Sequence, residues 1–171
     1  MVAVIEIDFD DDFEAWRRAR EVYPLTQAPR EGPTTAYWEH FPHEADIGVR
    51  GVGPSEAAAF EQAALALTAV LVEPATVRAA RAVPIRCAAP DHELLLVDWL
   101  NALVYEMAVQ GVLFSRFEVT LAEHGLSATA WGEPYDPTRH SAAVEVKGAT
   151  YTGLAVYREG GRWVAECVVD V

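Results

Sequence analysis

Tyr37-Trp38-Glu39-His40-Phe41-Pro42-His43-Glu44-Ala45-Asp46-Ile47-Gly48-Val49-Arg50-Gly51-Val52-Gly53 is the stretch on which the fold turns. Strand-forming side chains run from Tyr37 through about Phe41, polar residues interrupt them from His43 to Asp46, and apolar alternation resumes from Ile47 to Val52. The pattern predicts a strand, a loop and a second strand, with Asp46 at the mouth of a sheet. Loops there carry chemistry while the strands behind them supply rigidity.

Downstream of this stretch, Ser55 is a good N-cap for a helix over 56–72, whose Phe60, Ala64, Leu67 and Leu71 share one face before Pro74 breaks it. Val83 and Ile85 alternate in a strand over 82–87. Asp91 then caps a second helix, His92 to Gln110, with Leu95, Trp99, Leu103 and Met107 at four-residue spacing and Gly111 as terminator. A train of strands follows: Val112 to Ala122, Leu126 to Trp131, Ala142 to Thr150, Leu154 to Tyr157, and Trp163 to Val169 after the Gly160-Gly161 turn. Strand, strand, helix, strand, helix and a strand run predict an α+β domain over residues 37–171. In it two long helices pack on one face of a largely antiparallel sheet.

Upstream, residues 1–36 read as an extension. A strand spans residues 1–8, a short helix runs from Phe13 to Tyr23, and a linker rich in turn residues (Pro24, Pro29, Gly32, Pro33) joins them to the domain. Asp8, Asp10, Asp11 and Asp12 crowd together but lack the sixth-position glycine and twelfth-position glutamate of a calcium loop. Their place before a helix suits the helix dipole instead.

The chain has 171 residues, of which 26 are Asp or Glu and 13 Lys or Arg, a formal charge of -13. That balance argues against direct capture of a phosphate backbone, which depends on Lys and Arg, and suits a basic partner or a divalent cation. Two cysteines, Cys87 and Cys167, stand far apart without a Cys-x-x-Cys spacing, so they read as reduced core residues. Neither a basic and apolar leader nor an uncharged run of about 18 to 20 residues is present, and a cytoplasmic, membrane-free protein is expected.

Polar clusters stand at His40 to Asp46, at Gly132-Glu133-Pro134-Tyr135-Asp136-Pro137-Thr138-Arg139-His140, and at Asp170-Val171. A cation is the economical way to hold several carboxylates together, and all-oxygen ligation selects Mg, Ca or Mn over zinc. A zinc set of His40, His43 and His140 is the competing arrangement, weakened by Pro42 between the first two. A metal-dependent hydrolase using Asp46, Asp136, His140 and Asp170 is a second reading, and a metal-free interaction module a third. No nucleophile elbow, phosphate-cradling glycine loop or dinucleotide fingerprint occurs.

Taken in order, five segments resemble the archease family. They are His43-Glu44-Ala45-Asp46-Ile47-Gly48, the helix from Glu93-Leu94-Leu95 to Trp99-Leu100-Asn101, Gly132-Glu133 with Asp136 and Arg139-His140, Val146-Lys147-Gly148-Ala149-Thr150-Tyr151, and Val169-Asp170-Val171. The resemblance implies a small α+β protein of the strand-helix-strand-strand superfamily. Such a protein is a cofactor of an RtcB-type RNA ligase, not an enzyme, and meets RNA only through that ligase. It promotes guanylylation and multiple turnover of the ligase in tRNA splicing or RNA repair. By the same resemblance the metal ligands, for calcium or another divalent ion, fall on Asp46, Asp170 and the carboxylate of Val171. Lys147 and His140 are the expected contacts to a bound cofactor. Glu44 stands where the family usually has Thr, and Thr152 where it commonly has His.

Overall fold

The 37–53 stretch folds as a tight hairpin. Strands β1 (Tyr37–His43) and β2 (Asp46–Gly53) pair antiparallel from Tyr37↔Val52 to His43↔Asp46, leaving Glu44 and Ala45 as the turn. Glu44 adopts φ 51, the left-handed conformation that two-residue hairpin turns use and that costs a side-chain-bearing residue about 1 kcal/mol. A computed structural model describes residues 35–141 and 144–171. The strand, helix and linker expected over residues 1–34 lie outside the described residues.

Helix α1 (Glu56–Leu71) begins where Ser55 accepts a hydrogen bond from the Ala58 amide through its hydroxyl. Its buried side is largely alanine, with Ala59, Ala63, Ala64 and Ala66 fully inaccessible beside Phe60 and Leu67. Small residues let the helix lie almost on the backbone of β2. A methyl group at Gly51 would stand 2.1 Å from the Ala59 carbonyl oxygen and 2.2 Å from the Ala63 nitrogen. The odd-numbered residues of β2 therefore face α1, and Asp46, Gly48 and Arg50 face away.

A single 3-10 turn (Pro74–Thr76) leads to β3 (Arg81–Ala88). Helix α2 (His92–Gln110) is capped by Asp91, which accepts from the Leu94 amide, and closed by Gly111 in the left-handed region. Trp99, fully buried, donates its indole N–H to the Phe60 carbonyl at 3.1 Å and meets Phe117 edge-on, so it locks α2 to α1 and to the strand beyond. The remaining strands are β4 (Val112–Ala122), β5 (Gly125–Pro134), the two-residue β6 (Gly148–Ala149), β7 (Ala155–Glu159) and β8 (Arg162–Asp170).

Among the described residues all pairings are antiparallel, as the alternation predicts, but the strands divide into two sheets. One runs β1-β2-β8-β6 with β7 also on β8; the other runs β3-β5-β4. Both helices touch both sheets, and the principal apolar core lies where these elements meet.

Among the described residues, the strand expected over 142–150 is present only as Gly148–Ala149. Val144 and Val146 are buried and Glu145 and Lys147 exposed, so the alternation is real. The register Gly148↔Asp170 carries residues 144–146 past Asp170, the last residue of β8, and no other described strand pairs with them. The last rung is the Lys147 amide donating to the Asp170 carbonyl at 2.8 Å.

Candidate functional site

Strands β2 and β8 pair with Ile47 opposite Val169. One step further along both strands stand Asp46 and Asp170, each the terminal residue of its strand. His43 pairs with Asp46 on one side and Gly148 with Asp170 on the other. A line across four strands thus reads His43, Asp46, Asp170, Gly148, at the end of the sheet and on the face turned away from α1. Directly opposed residues of an antiparallel pair have Cβ atoms about 5 Å apart, and like charges there repel. Asp46 is half-buried and Asp170 exposed. Two carboxylates so placed supply hard oxygen donors, which fit Mg, Ca or Mn better than zinc.

Val171 is 4% exposed and belongs to the core. Its buried side chain pins the backbone that follows Asp170. Lys147 is exposed beside the same rung, its amide fixed to Asp170 as described. Among the described residues no group of three or more His, Cys, Asp or Glu side chains is arranged to hold a metal. Of the described acidic side chains, only Asp46 and Asp170 stand at this rung.

Below the pair the same face is apolar and then charged. The Phe41 ring lies over Gly48, where an added methyl would come within 2.2 Å of it. Arg50 sits over that ring at 4.7 Å and binds Glu39 at 2.6 Å as well as Glu166. Burial lowers the Arg50 pKa, but hydrogen bonds and charge from Glu39 and Glu166 outweigh it and the net shift is upward. Arg50 thus offsets one of these two carboxylates, two rows along the same face from the acid pair.

The histidines do not assemble into a zinc site. His40 lies on the inward face of β1, 8% exposed, with Nε2 2.6 Å from the Ala66 carbonyl, while His43 ends the hairpin. His140 is 1% exposed, and both ring nitrogens are engaged. The Asp136 amide donates to Nδ1 at 2.9 Å, which leaves Nε2 as the donor to Glu133 at 2.9 Å. A ring held this way has no free nitrogen for a cofactor, contrary to the expectation for His140.

Glu133 also accepts from Arg139 at 2.7 Å and from the Arg78 amide at 3.1 Å. These bonds, the one from Arg139 foremost, hold its carboxyl down to about 2 against the opposing effect of burial. Asp136 is turned onto Thr138, whose hydroxyl and amide lower its pKa. The 133–140 cluster is a clamp that closes its own loop onto the segment before β3. The hydrolase set of Asp46, Asp136, His140 and Asp170 is therefore not assembled. Sequence reading missed the clamp because the partner that ties the loop to the segment before β3, the Arg78 amide, is a backbone group 55 positions away.

Of the two cysteines read as core residues, Cys167 lies in the core and Cys87 is half-buried against it. Both are free, and burial pushes Cys87 up to about 11 and the fully buried Cys167 up to about 12.

The family model for the Archease protein family matches residues 38–171. Protein archease of Pyrococcus furiosus is 37% identical over 139 residues, covering 78% of this chain and 98% of that protein. Protein archease of Methanopyrus kandleri is 39% identical over 138 residues, with 78% and 99% covered. The solution structure of protein 1598 from Methanobacterium thermoautotrophicum superposes with a TM-score of 0.70 at 30% identity, covering 78% of this chain and 98% of that one. A crystal structure from Thermotoga maritima, described as an archease and possible chaperone, shares the fold at a TM-score of 0.51 and 18% identity.

Proposed function

The chain belongs to the archease family, and on that premise we propose that it is a cation-binding activator of an RtcB-type RNA ligase. In this role it promotes guanylylation and repeated turnover of the ligase in tRNA splicing or RNA repair. The observation that carries the reading is the register that brings Asp46 alongside Asp170 at one sheet end, although they stand at opposite ends of the domain sequence. Two opposed carboxylates raise the energy of the fold unless something offsets their charge, so their placement is suited to a bound cation.

Asp46, Asp170 and the Val171 carboxylate are the oxygen donors in this reading. The bound ion would supply a fixed positive centre for phosphate oxygens. Lys147, next to Asp170, would add a second cationic group to the same end of the sheet. His140 serves as part of the loop clamp rather than as a contact. The surplus of acids suits approach to a cationic mouth on the ligase, so binding should weaken as salt rises.

The test is guanylylation of purified ligase with GTP and limiting Mg or Mn, in the presence and absence of the protein. Stimulation by the parent and its loss in Asp46→Asn are expected. A parent that leaves the guanylylation rate unchanged would overturn the reading.

A further inference from the structure

Three large hydrophobic side chains are exposed among the described residues: Tyr151 at 70%, Tyr105 at 63% and Val109 at 51%. One side chain, Asn101, links their positions. Its Oδ1 accepts from the Ala149 amide at 2.8 Å and its Nδ2 donates to the Ala149 carbonyl at 3.3 Å, fastening β6 to α2. Tyr151 lies two residues beyond Ala149. Tyr105 and Val109 follow Asn101 at one and two helical turns, on the same face of α2. The other end of β6 is Gly148, paired with Asp170. Asn101 thus ties the helix that carries Tyr105 and Val109 to the short strand that pairs with Asp170 and leads into Tyr151.

Tyr151 does not sit on a loose loop. Thr150 donates to the Val168 carbonyl through both its amide (3.0 Å) and its hydroxyl (2.8 Å), the Val168 amide donates to the Thr152 carbonyl (3.0 Å), and the Leu154 amide donates to the Tyr151 carbonyl (3.3 Å). The backbone on both sides of Tyr151 is bound, yet its ring is left in water. An aromatic ring on a pre-ordered turn loses little entropy when it is covered, and tyrosines of this kind dominate binding energy at protein interfaces.

The charge around the patch selects its occupant. Exposed acids stand on the same elements, with Asp98 on α2, Glu145 just before β6 and Asp170 opposite Gly148, against one exposed cation, Lys147, between Glu145 and Gly148, and the chain as a whole carries -13. A second copy of the same chain would bring like charge against like. A protein surface with an apolar socket rimmed by Lys and Arg fits both the rings and the rim.

We infer that Tyr151, with Tyr105 and Val109, forms the docking pad by which this protein holds the ligase whose reactive centre the Asp46 and Asp170 site serves. The inference rests on the proposed function and divides the labour within it. The tyrosine patch sets how tightly the partner is held, and the acids set what happens once it is held.

The test titrates purified ligase with the parent, Tyr151→Ala, the double variant Tyr105→Ala with Val109→Ser, and Asp170→Asn. It reads Kd by calorimetry and guanylylation rate against activator concentration. Thermal melting checks each fold, which exposed substitutions should leave intact. Tyr151→Ala should raise Kd and the half-saturating concentration by about tenfold or more with the plateau rate unchanged. Asp170→Asn should lower the plateau with much less change in Kd. A Tyr151→Ala variant that binds like the parent overturns the inference and leaves the proposed function standing. A plateau that falls at unchanged Kd overturns it too, because Tyr151 would then act at the chemistry. Dimerisation of the parent that Tyr151→Ala abolishes would assign the patch to a second copy, and absence of any binding by the parent would remove both readings.

Discussion

Replacing Gly51 by Ala should loosen the attachment of α1 to the sheet that carries Asp46. The added methyl would meet backbone atoms, at 2.1 Å from the Ala59 oxygen and 2.2 Å from the Ala63 nitrogen, where ordinary contact begins at 3.4 Å. Since 3.4 - 2.1 = 1.3, the helix has to withdraw by about 1.3 Å at that point. No rotamer change relieves a clash with backbone. Phe60, Ala63, Ala64 and Leu67, all fully buried on that helix, would lose part of their packing. Overpacking costs about 1–3 kcal/mol, and a backbone obstacle puts this case at the upper end. For a domain of this size about 3 kcal/mol corresponds to a fall in Tm of roughly 10 °C. Gly125→Ala is the control, since its methyl would find nothing nearer than the Cys87 oxygen at 3.7 Å. Thermal melts by circular dichroism and urea midpoints with unchanged slope should separate the two variants. A Gly51→Ala protein that melts together with Gly125→Ala would refute the close helix-on-strand contact.

Two ionic clusters give stability opposite dependences on pH. His92 sits 2.5 Å from Glu56 through Nδ1 and 2.9 Å from the Ala122 carbonyl through Nε2, so both nitrogens face acceptors. Burial lowers its pKa, but Glu56 and the backbone of Ala122 and Glu123 outweigh that and the net shift is upward. A raised folded-state pKa means that the contribution is fully present below the unfolded value of about 6.5 and is lost as pH rises through the folded one. His92→Gln should remove this alkaline loss from a melting-versus-pH series. Glu133, held down to about 2 chiefly by Arg139, behaves in the reverse sense. Its contribution is present above the unfolded carboxyl value of about 4.3 and disappears as pH falls toward 2. Glu133→Gln should lack that acid limb, and an unchanged profile would show that the clamp adds nothing to folding.

Much of this architecture was legible because local chemistry and tertiary structure agree. Ser55, Asp91 and Gly111 act as the caps their types suggest, and the four-residue spacing of Leu95, Trp99 and Leu103 marks the buried side of α2. Pairing was less legible. Val144 and Val146 alternate like a strand, but whether a partner exists beside them depends on where β8 ends, a fact no local pattern contains. Division into two sheets escapes notice for the same reason. In the candidate site, the types and positions of Asp46 and Asp170 stood out, whereas their adjacency follows only from the register of β2 against β8. His140 shows the reverse failure. Its place in a polar cluster suggested a contact, but its ring is consumed by Glu133 and the Asp136 amide, partners that only the folded loop reveals. Tyr151, between the strands expected over 142–150 and 154–157, is the most exposed of the three large hydrophobics exposed among the described residues, and no sequence pattern marks it.

The central claim is that a cation held by Asp46 and Asp170 makes this protein an activator, and Asp170→Asn tests it most directly. The substitution keeps the size of the side chain and one acceptor oxygen but removes the anionic charge from an exposed position, so β8 keeps its packing while a hard cation loses a ligand. Ligase guanylylation should be measured with parent and variant across a Mg or Mn titration, beside melting with and without the metal. The account predicts loss of stimulation at limiting metal and loss of the metal-dependent gain in Tm, with the metal-free melt not lowered. Stimulation equal to the parent's at every metal concentration would contradict it.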